Sequence, residues 1–479
     1  MNDKSKIVSN FMWRLFERFG TQIISFILSI ILARLLDPNV YGQVAIVLVV
    51  ISILNVFIDS GFGNALIQKK EVDDIDYSSV FYFNIFICLI LYITLYFFAP
   101  AIAHFYRSED LTNIIRVLGL TIIVSGVTNI QNSYVSRNLL YKKYFYCTLL
   151  GSFVSAIVGI VLALNGYGIW SLVFQNLANT IINTIALWSI VKWRPKLLFS
   201  FSRLKVLFNY GWKLLISSLI NTSWSKLRQL IIGRKFTTSD LAFYNKGSHF
   251  PDITTSSIIT SINSVIFPTM SKAQDSVEAV KDIMRKSIKI GSYILWPAMI
   301  GLAACADNFI MVFLSEKWMP VVPYLRIFCI SYAFYPIHTS NLSAINAIGR
   351  SDLFLKLEII KKFVDFIMII ISIRYGVLAM AIWTIPSNFI SQFINAWPNR
   401  KLLNYRYFDQ IKDLIPSLLM SLVMGLIVYS INFIGLNNLA TLILQVLTGV
   451  LAYFVLSVLT KNDSYKYCRD VFLSYFGKK

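Results

Sequence analysis

The amino-acid sequence predicts an all-α polytopic membrane protein with about fourteen transmembrane helices. Hydrophobic residues make up 56% of the 479 residues and charged residues only 14%, and the mean hydropathy is +0.64. The apolar residues fall in runs of roughly 20, the length that crosses a hydrocarbon layer of ~30 Å. The net charge of +20 lies mainly in short segments between these runs. This placement argues against a soluble nucleic-acid-binding protein, and no nucleic-acid partner is expected.

The first two spans form a tight hairpin near the N-terminus. Apolar runs at 21–36 and 40–58 are joined by Asp37-Pro38-Asn39. Asp37 can cap the second helix, and Pro38 suits its first position, where a missing N–H costs nothing. A charge at bilayer depth costs several kcal/mol unless it faces protein or water, so the charged residues beside this hairpin predict a hydrated interior. They are Arg14, Glu17, Arg18 and Asp59.

Twelve further spans follow by the same criterion of length and hydropathy. They are predicted at 78–98, 111–134, 145–164, 169–191, 211–232, 241–267, 290–314, 323–347, 353–373, 377–397, 413–434 and 439–459. The chain therefore divides into an N-lobe at 1–191, a basic cytoplasmic linker at 192–210 and a C-lobe at 211–397. Two last helices and a basic tail ending in Lys478-Lys479 occupy 398–479.

An internal repeat relates the two lobes. Tyr167-Gly168 and Tyr375-Gly376 are 208 residues apart (375 − 167), and so are Lys142 and Arg350 (350 − 142). Each Tyr-Gly pair is predicted to make the tight outer turn before the last helix of a six-helix set. Because six is even, both sets enter the membrane from the same side, as parallel repeats with a cavity at their interface.

The distribution of Lys and Arg predicts the orientation. With a cytoplasmic N-terminus, roughly 26 basic residues lie inside and about 6 outside, so both termini are expected in the cytoplasm. No cleaved signal peptide is expected from the first residues. The five cysteines and three histidines are scattered, so no metal site and no disulfide framework are predicted. No cofactor is expected either.

Several segments in a fixed order carry a family resemblance. They are Leu32-Ala33-Arg34-Leu35-Leu36-Asp37-Pro38, Tyr41-Gly42, Asp59-Ser60-Gly61-Phe62-Gly63-Asn64-Ala65-Leu66-Ile67-Gln68, Ala99-Pro100-Ala101-Ile102-Ala103, Phe105-Tyr106 and Tyr167-Gly168-Ile169-Trp170-Ser171-Leu172-Val173. With the repeat and the helix count, the chain resembles Wzx-type polysaccharide flippases. It resembles most the colanic acid exporter-like branch of the multidrug/oligosaccharidyl-lipid/polysaccharide (MOP) superfamily.

The resemblance implies a two-lobed, V-shaped, MATE-like transporter of the bacterial inner membrane. It would flip undecaprenyl-diphosphate-linked oligosaccharides for surface polysaccharide synthesis (O-antigen, capsule or exopolysaccharide). The parallel repeat and the absence of a nucleotide-binding domain predict alternating access driven by an H⁺ or Na⁺ gradient or by membrane potential rather than by ATP. Partners would be the lipid-linked oligosaccharide, membrane lipids, a polysaccharide polymerase and a chain-length regulator.

Basic residues in or near the spans are the candidates for binding the diphosphate, because arginine and lysine donate charge-assisted hydrogen bonds to phosphate oxygens. Arg14 and Arg18 are four residues apart and share a helical face. Either they form an anion site, or they are interfacial anchors that reach the headgroup layer. The same two alternatives hold for Lys226, Arg228 and Lys246.

Polar and acidic residues in the spans have two interpretations each. Asn176 and Asn179 can bind sugar hydroxyls, or they can hydrogen-bond between helices, as polar residues in membranes do. Glu17 and Asp59 are candidates for ion coupling. Alternatively, Glu17 is a counter-ion of the neighbouring arginines, and Asp59 caps the inner loop near Lys69 and Lys70.

The sequence does not favour an enzyme. It contains no nucleotide-binding loop, no nucleophile motif and no long outer loop, so no catalytic residue is predicted. The alternative function is an ion-coupled multidrug exporter of the same superfamily, since a shared fold does not settle function. Cationic drugs favour acidic cavities, whereas most candidate charges here are basic.

Overall fold

The computed structural model describes residues 3–59 and 62–476, so Ser60-Gly61 and the basic Lys478-Lys479 pair lie outside the described residues. Every regular element within those ranges is a helix, which confirms the all-α fold. The chain forms two compact units, Met1–Ala242 and Phe243–Lys479. Helix α9 begins in the first unit and continues into the second.

Eight helices of the first unit precede α9. They are α1 (Asp3–Leu35), α2 (Pro38–Asp59), α3 (Phe62–Gln68), α4 (Asp74–Phe105), α5 (Leu111–Arg137), α6 (Tyr141–Leu164), α7 (Ile169–Ile190) and α8 (Phe201–Lys235). Helix α1 packs on α6, α4 on α5, and α7 on both α5 and α6.

The predicted hairpin is present, and its turn is as short as the sequence indicates. Helix α1 ends at Leu35 and α2 begins at Pro38. One turn into α2, the backbone of Gly42 packs directly on the start of α9, and a Cβ built on Gly42 would lie 1.8 Å from Thr238 O. Only glycine permits this approach.

The segment between α7 and α8 is hydrogen-bonded to α4. Its backbone N–H groups at Lys196 and Ser200 donate to Ser78 Oγ (3.0 Å) and Ser79 Oγ (2.9 Å). Helix α8 begins at Phe201, earlier than the predicted start at 211. The additional turns are explained by Leu204 and Leu207, which are buried in the core of this unit.

Helix α9 (Thr238–Lys272) leads into the second unit, which contains eleven further α-helices. They are α10 (Val277–Ala304), α11 (Ala306–Phe313), α12 (Val321–Ala333), α13 (Tyr335–Ala347), α14 (Ser351–Ser372), α15 (Val377–Ile382), α16 (Thr384–Ala396), α17 (Asn399–Leu402), α18 (Tyr407–Ser430), α19 (Asn438–Leu459) and α20 (Asp463–Phe476). Helix α10 packs on α12, α13 and α18, and α14 packs on α16.

Three spans predicted as continuous are interrupted. The predicted span at 323–347 is divided between α12 and α13, and the one at 377–397 between α15 and α16. Pro336 and Pro386 follow these breaks, and proline cannot donate the backbone hydrogen bond that would continue the helix. The predicted span at 290–314 is divided at Cys305, between α10 and α11.

Nine helices in the described part of the chain are long and apolar enough to cross a membrane. They confirm a multi-pass membrane protein, while the total of fourteen and the lobe boundaries stay predictions. Helices α7, α8, α9 and α14 are not among the nine. Of the candidate site residues, Asn176 and Asn179 lie on α7, Lys226 and Arg228 on α8, and Lys246 on α9.

The turns at the repeated Tyr-Gly pairs have related backbones. Gly168 precedes α7 with φ +51°, and Gly376 precedes α15 with φ +97°. Residues with a side chain rarely adopt such positive φ values. Both members of the sequence repeat therefore require glycine for the same physical reason.

Candidate functional site

Arg14 is positioned where α1 meets α6. Its Nη1 lies 3.0 Å from Glu17 Oε2, and its guanidinium carbon lies 5.5 and 5.4 Å from the ring centroids of Tyr141 and Tyr144. Arginine stacks well on aromatic faces because its charge is delocalised over a plane. The side chain is still 44% exposed, so these neighbours orient a cation that can also donate to an anion.

Glu17 and Arg18 lie next to each other but in different surroundings. Glu17 is buried and forms its ion pair with Arg14. Arg18 is exposed and forms no ion pair with a residue that the structure describes. The structure thus gives Glu17 the contact of a counter-ion and leaves the guanidinium of Arg18 accessible to a ligand.

Lys226 and Arg228 lie on α8, which packs on α2, α3 and α4. Both are partly buried. Residues two apart on an α-helix point about 200° apart, so the two side chains cannot serve one site equally. Arg228 has a partner within the described chain, whereas Lys226 forms no ion pair there.

Lys246 lies in the second unit, apart from the other four predicted cations, which belong to the first. Its Nζ is 5.7 Å from the ring centroid of Trp318, an indole that is fully buried. A cation over a tryptophan face is stabilised by the ring quadrupole. This contact gives Lys246 a packing role that the sequence did not predict.

Asn176 and Asn179 lie on α7, which packs on α6. Asn176 Nδ2 donates to Leu172 O (2.8 Å) and to Gln175 Oε1 (3.2 Å) within its own helix. A Cβ built on Gly151 would lie 3.4 Å from Asn179 O. The side-chain amide of Asn179 is partly buried and has no hydrogen bond to a described residue. The two asparagines therefore differ: the amide nitrogen of Asn176 donates within its own helix, whereas the amide of Asn179 has no hydrogen bond to a described residue.

Asp59 is held by residues from two other helices. Asn129 Nδ2 on α5 donates to Asp59 Oδ1 (3.0 Å), and Asn84 Nδ2 on α4 lies 3.4 Å from Asn129 Oδ1. Lys69, which the sequence suggested as a neighbour, instead pairs with Asp76 at 2.6 Å. The Asp59–Asn129–Asn84 chain was not predicted, because its members are distant in sequence and carry no shared motif.

Arg137 on α5 contacts the backbone at the end of α3. Its guanidinium donates to the carbonyl oxygens of Leu66 (2.8 Å), Lys69 (2.5 Å) and Lys70 (2.7 Å). These carbonyls end the short helix α3, where the last turn lacks intrahelical donors. Arg137 therefore caps α3 from α5.

The start of α4 gathers opposite charges. Asp73 is bonded to Arg203, and Asp74 Oδ2 lies 2.5 Å from Lys196 Nζ. The backbone N–H of Asp76, together with Arg203, lowers the pKa of the Asp73 carboxyl. These pairs hold Lys196, in the basic segment after α7, and Arg203, in the first turn of α8, against the start of α4.

The second unit contains two polar pairs, each with one buried member, that sequence reasoning did not assemble. His338 Nδ1 lies 3.0 Å from Asn395 Nδ2, and Lys361 Nζ lies 2.5 Å from Glu358 Oε1. Lys361 is only 7% exposed. The spacing of Glu358 and Lys361, three residues apart on one helix, is the sequence signal that could have predicted their ion pair. Buried titratable residues in a membrane helix often mark function.

Within residues 3–59 and 62–476, no group of three or more His, Cys, Asp or Glu residues is placed to hold a metal ion. Cys88, Cys147, Cys305 and Cys329 are buried free thiols.

Relatives of named function match nearly the whole chain. The succinoglycan biosynthesis transport protein ExoT of Rhizobium meliloti (strain 1021) is 23% identical over 462 residues, 95% of this chain and 94% of ExoT. The lipopolysaccharide biosynthesis protein WzxC of Escherichia coli (strain K12) is 23% identical over 424 residues, 87% of this chain and 83% of WzxC.

Solved structures share the fold. The lipid II flippase MurJ, in an inward closed conformation, aligns with a TM-score of 0.76 at 18% identity, over 95% of this chain and 99% of that chain. An inward-facing MATE multidrug transporter of the MOP superfamily aligns with a TM-score of 0.66 at 16% identity, over 80% and 94%. These relatives and neighbours confirm the prediction of a transporter rather than an enzyme.

The family is shown by a sequence profile. The profile described as "Polysaccharide biosynthesis protein" matches residues 31–323, more than half of the chain. This range includes the segments at 32–42, 59–68 and 167–173 on which the resemblance to Wzx-type flippases rests, and that resemblance is confirmed. The chain belongs to the polysaccharide biosynthesis protein family.

Proposed function

We propose that the chain flips undecaprenyl-diphosphate-linked oligosaccharides across the bacterial inner membrane for O-antigen, capsule or exopolysaccharide synthesis. The observation that carries the proposal is the family match over residues 31–323. The likeness to ExoT, named a transport protein of succinoglycan biosynthesis, supports it over 95% of the chain. A polysaccharide polymerase and a chain-length regulator would act with it. Both of its termini would lie in the cytoplasm.

The chemical problem of such a substrate is its diphosphate. An isolated charge in a low-dielectric medium costs tens of kcal/mol by Born estimates. Fixed cations in a hydrated cavity offset this cost. In the proposed site Arg14 and Arg18 donate to the phosphate oxygens, and Lys226, Arg228 and Lys246 are further candidates. Asn179 would bind a sugar hydroxyl, and Asn176 would do so with the lone pairs of its amide oxygen.

The Arg14–Glu17 pair suggests how an ion gradient could be coupled to this site. While Glu17 is ionised, it holds one edge of the Arg14 guanidinium at 3.0 Å. A proton on Glu17 removes the charge that attracts Arg14, whose donors then become available to the diphosphate. Asp59, bonded to Asn129, is the second coupling candidate, for H⁺ or Na⁺. Alternating access would carry the site from one face to the other.

An ion-coupled multidrug exporter is the alternative, and the likeness to a MATE transporter is the observation that favours it. That likeness concerns the fold, which does not settle the substrate. Arg14, Arg18 and Lys226 would repel the organic cations that many drug exporters carry. An anionic, lipid-linked substrate therefore fits the candidate charges better.

The test begins with gene deletion and complementation. Deletion should cause one lipid-linked oligosaccharide to accumulate in the inner leaflet. Arg18→Ala should reduce export roughly ten- to hundredfold at normal protein abundance, because one charge-assisted bond contributes about 1.5–3 kcal/mol. Arg18→Lys should restore export only partly, since lysine cannot donate bidentately. The same pattern is expected for Arg14.

Arg116→Ala is a matched control. Arg116 also lies over a tyrosine, 4.2 Å from the centroid of Tyr96, but it is not a candidate for the site, so export should be normal. Normal export by an Arg14→Ala/Arg18→Ala double variant at wild-type abundance would refute the diphosphate assignment. Altered drug sensitivity with unchanged polysaccharide after deletion would favour the drug exporter.

A further inference from the structure

The second unit has a cavity of about 340 Å³ at the end where α10 and α18 begin and α19 gives way to α20. Its polar wall is formed by Lys289, Asp413, Lys461 and Asp463, and its apolar wall by Pro416, Leu419 and Met420. The cavity is thus amphipathic, with charge on one side and hydrocarbon on the other.

The carboxylate of Asp413 is already satisfied from outside this cavity. Arg285 donates to both of its oxygens at 2.7 Å, and Tyr405 Oη donates to Oδ2 at 2.6 Å. A carboxylate with a bidentate arginine and a phenol has little need of a further cation. Asp413 therefore does not neutralise the lysines of the cavity.

The two lysines of the cavity retain unused donors. Lys289 Nζ lies 3.6 Å from Asp413 Oδ1 and 3.9 Å from Asp463 Oδ2, both longer than a hydrogen bond. The Asp463 side chain is 80% exposed, so water screens its attraction. Lys461 is exposed and pairs with no carboxylate in the described part of the chain. Three cations and two carboxylates therefore give this region a net charge of +1. They are Lys289, Lys461, Arg285, Asp413 and Asp463.

The apolar wall continues along the outside of α18. Leu419 is 56% exposed, and Leu422 and Leu426, three and seven residues further on, are also exposed. This spacing places the three leucines on one side of the helix. An acyl chain lying on this stripe would bring its headgroup to the two lysines.

We propose that this cavity binds the headgroup of an anionic glycerophospholipid of the phosphatidylglycerol class. The phosphodiester would contact Lys289 and Lys461, and one acyl chain would follow Leu419, Leu422 and Leu426. Basic pockets between transmembrane helices near the membrane surface bind anionic lipid headgroups. The site lies within the second unit and does not depend on the proposed transport function.

The experiment measures lipid retention by the purified full-length protein in detergent, using native mass spectrometry. Phosphatidylglycerol should bind, and phosphatidylcholine of the same chain length should not. A Lys289→Ala/Lys461→Ala variant should lose affinity for phosphatidylglycerol roughly thirtyfold, because each lysine near a headgroup contributes about fivefold. A Lys235→Ala/Lys466→Ala variant removes the same charge outside the cavity and should bind normally.

A second variant keeps the cations, in case the lysine variant does not fold. Leu419→Ser removes apolar wall only and should weaken phosphatidylglycerol binding without abolishing headgroup selectivity. Equal binding of phosphatidylcholine, or unchanged binding by the double lysine variant, would overturn the proposal. Displacement of the lipid by inorganic phosphate at equal concentration would assign the site to free phosphate. Stronger binding of farnesyl diphosphate, lost with the same lysines, would assign it to a prenyl diphosphate.

Discussion

The contact between Gly42 and Thr238 gives the sharpest test of the packing. In Gly42→Ala the new Cβ would lie 1.8 Å from Thr238 O and 2.4 Å from Thr238 C. Both are backbone atoms, so no side-chain rotation can relieve the overlap. The helix start would have to move by more than 1 Å, since carbon–oxygen contacts need about 3 Å or more.

The magnitude follows from two opposing effects. Alanine is favoured over glycine inside a helix by about 1 kcal/mol. Forcing an extra carbon into a filled site costs typically about 1–3 kcal/mol, and a backbone overlap of this size belongs at the upper end or beyond. We therefore expect Gly42→Ala to destabilise the protein by about 2 kcal/mol or more.

Gly301→Ala is the matched control, because it makes the same chemical change in a helix that has room. The nearest atom to a Cβ there is Met424 Cε, at an ordinary 3.6 Å. Its expected effect is neutral to stabilising, by up to about 1 kcal/mol. The assay is thermal unfolding in detergent, followed by fluorescence-detected size-exclusion chromatography. Gly42→Ala with a melting temperature equal to or above that of Gly301→Ala would refute the packing argument.

Three further predictions concern the first unit and the topology. Arg137→Ala leaves the α3 carbonyls without donors and should cost about 1–3 kcal/mol, measured by thermal unfolding; wild-type stability would contradict the capping role. Asp73 has a lowered pKa in the folded protein, so its stabilisation is present above the unfolded value of about 3.9 and disappears as the pH falls through the folded pKa. The stability gap between wild type and Asp73→Asn should therefore close on acidification, and a constant gap would exclude this linkage. Reporter fusions after Gly168 and Gly376 should be periplasmic, and those after Lys196 and Lys401 cytoplasmic; reversed signals at either pair would rule out the predicted topology.

Local chemistry explains what could be predicted from the sequence. The start of α2 at Pro38 and the turns at Gly168 and Gly376 depend on residues within a few positions of each other, and proline and glycine fix backbone geometry wherever they occur. Prolines also follow the helix breaks after α12 and α15. Because the residues around each break are apolar, the hydropathy pattern predicted one continuous span at each place.

Contacts between distant residues explain what could not be predicted. Arg137 caps carbonyls about 70 positions earlier, and Asp59 and Asn129 are equally separated. Such pairs depend on the rotation of each helix about its axis, which hydrophobic runs do not specify. For the same reason, the sequence identified Arg14, Arg18 and Lys246 as cations but not the tyrosines or the tryptophan on which Arg14 and Lys246 lie.

The ion pair between buried Lys361 and partly exposed Glu358 has a consequence for biogenesis. Helix α14 carries Glu358, Lys361, Lys362 and Asp365 in its central part, and each charge at a helix centre costs the insertion machinery about 2.5–3.5 kcal/mol. We therefore predict that α14, one of the spans predicted from the sequence, does not partition into lipid by itself. We expect it to insert together with α16, whose Ser387 Oγ donates to Asp365 Oδ1 at 2.9 Å. A glycosylation-mapping assay should accordingly find α14 poorly inserted when translated alone and well inserted when α15 and α16 follow it.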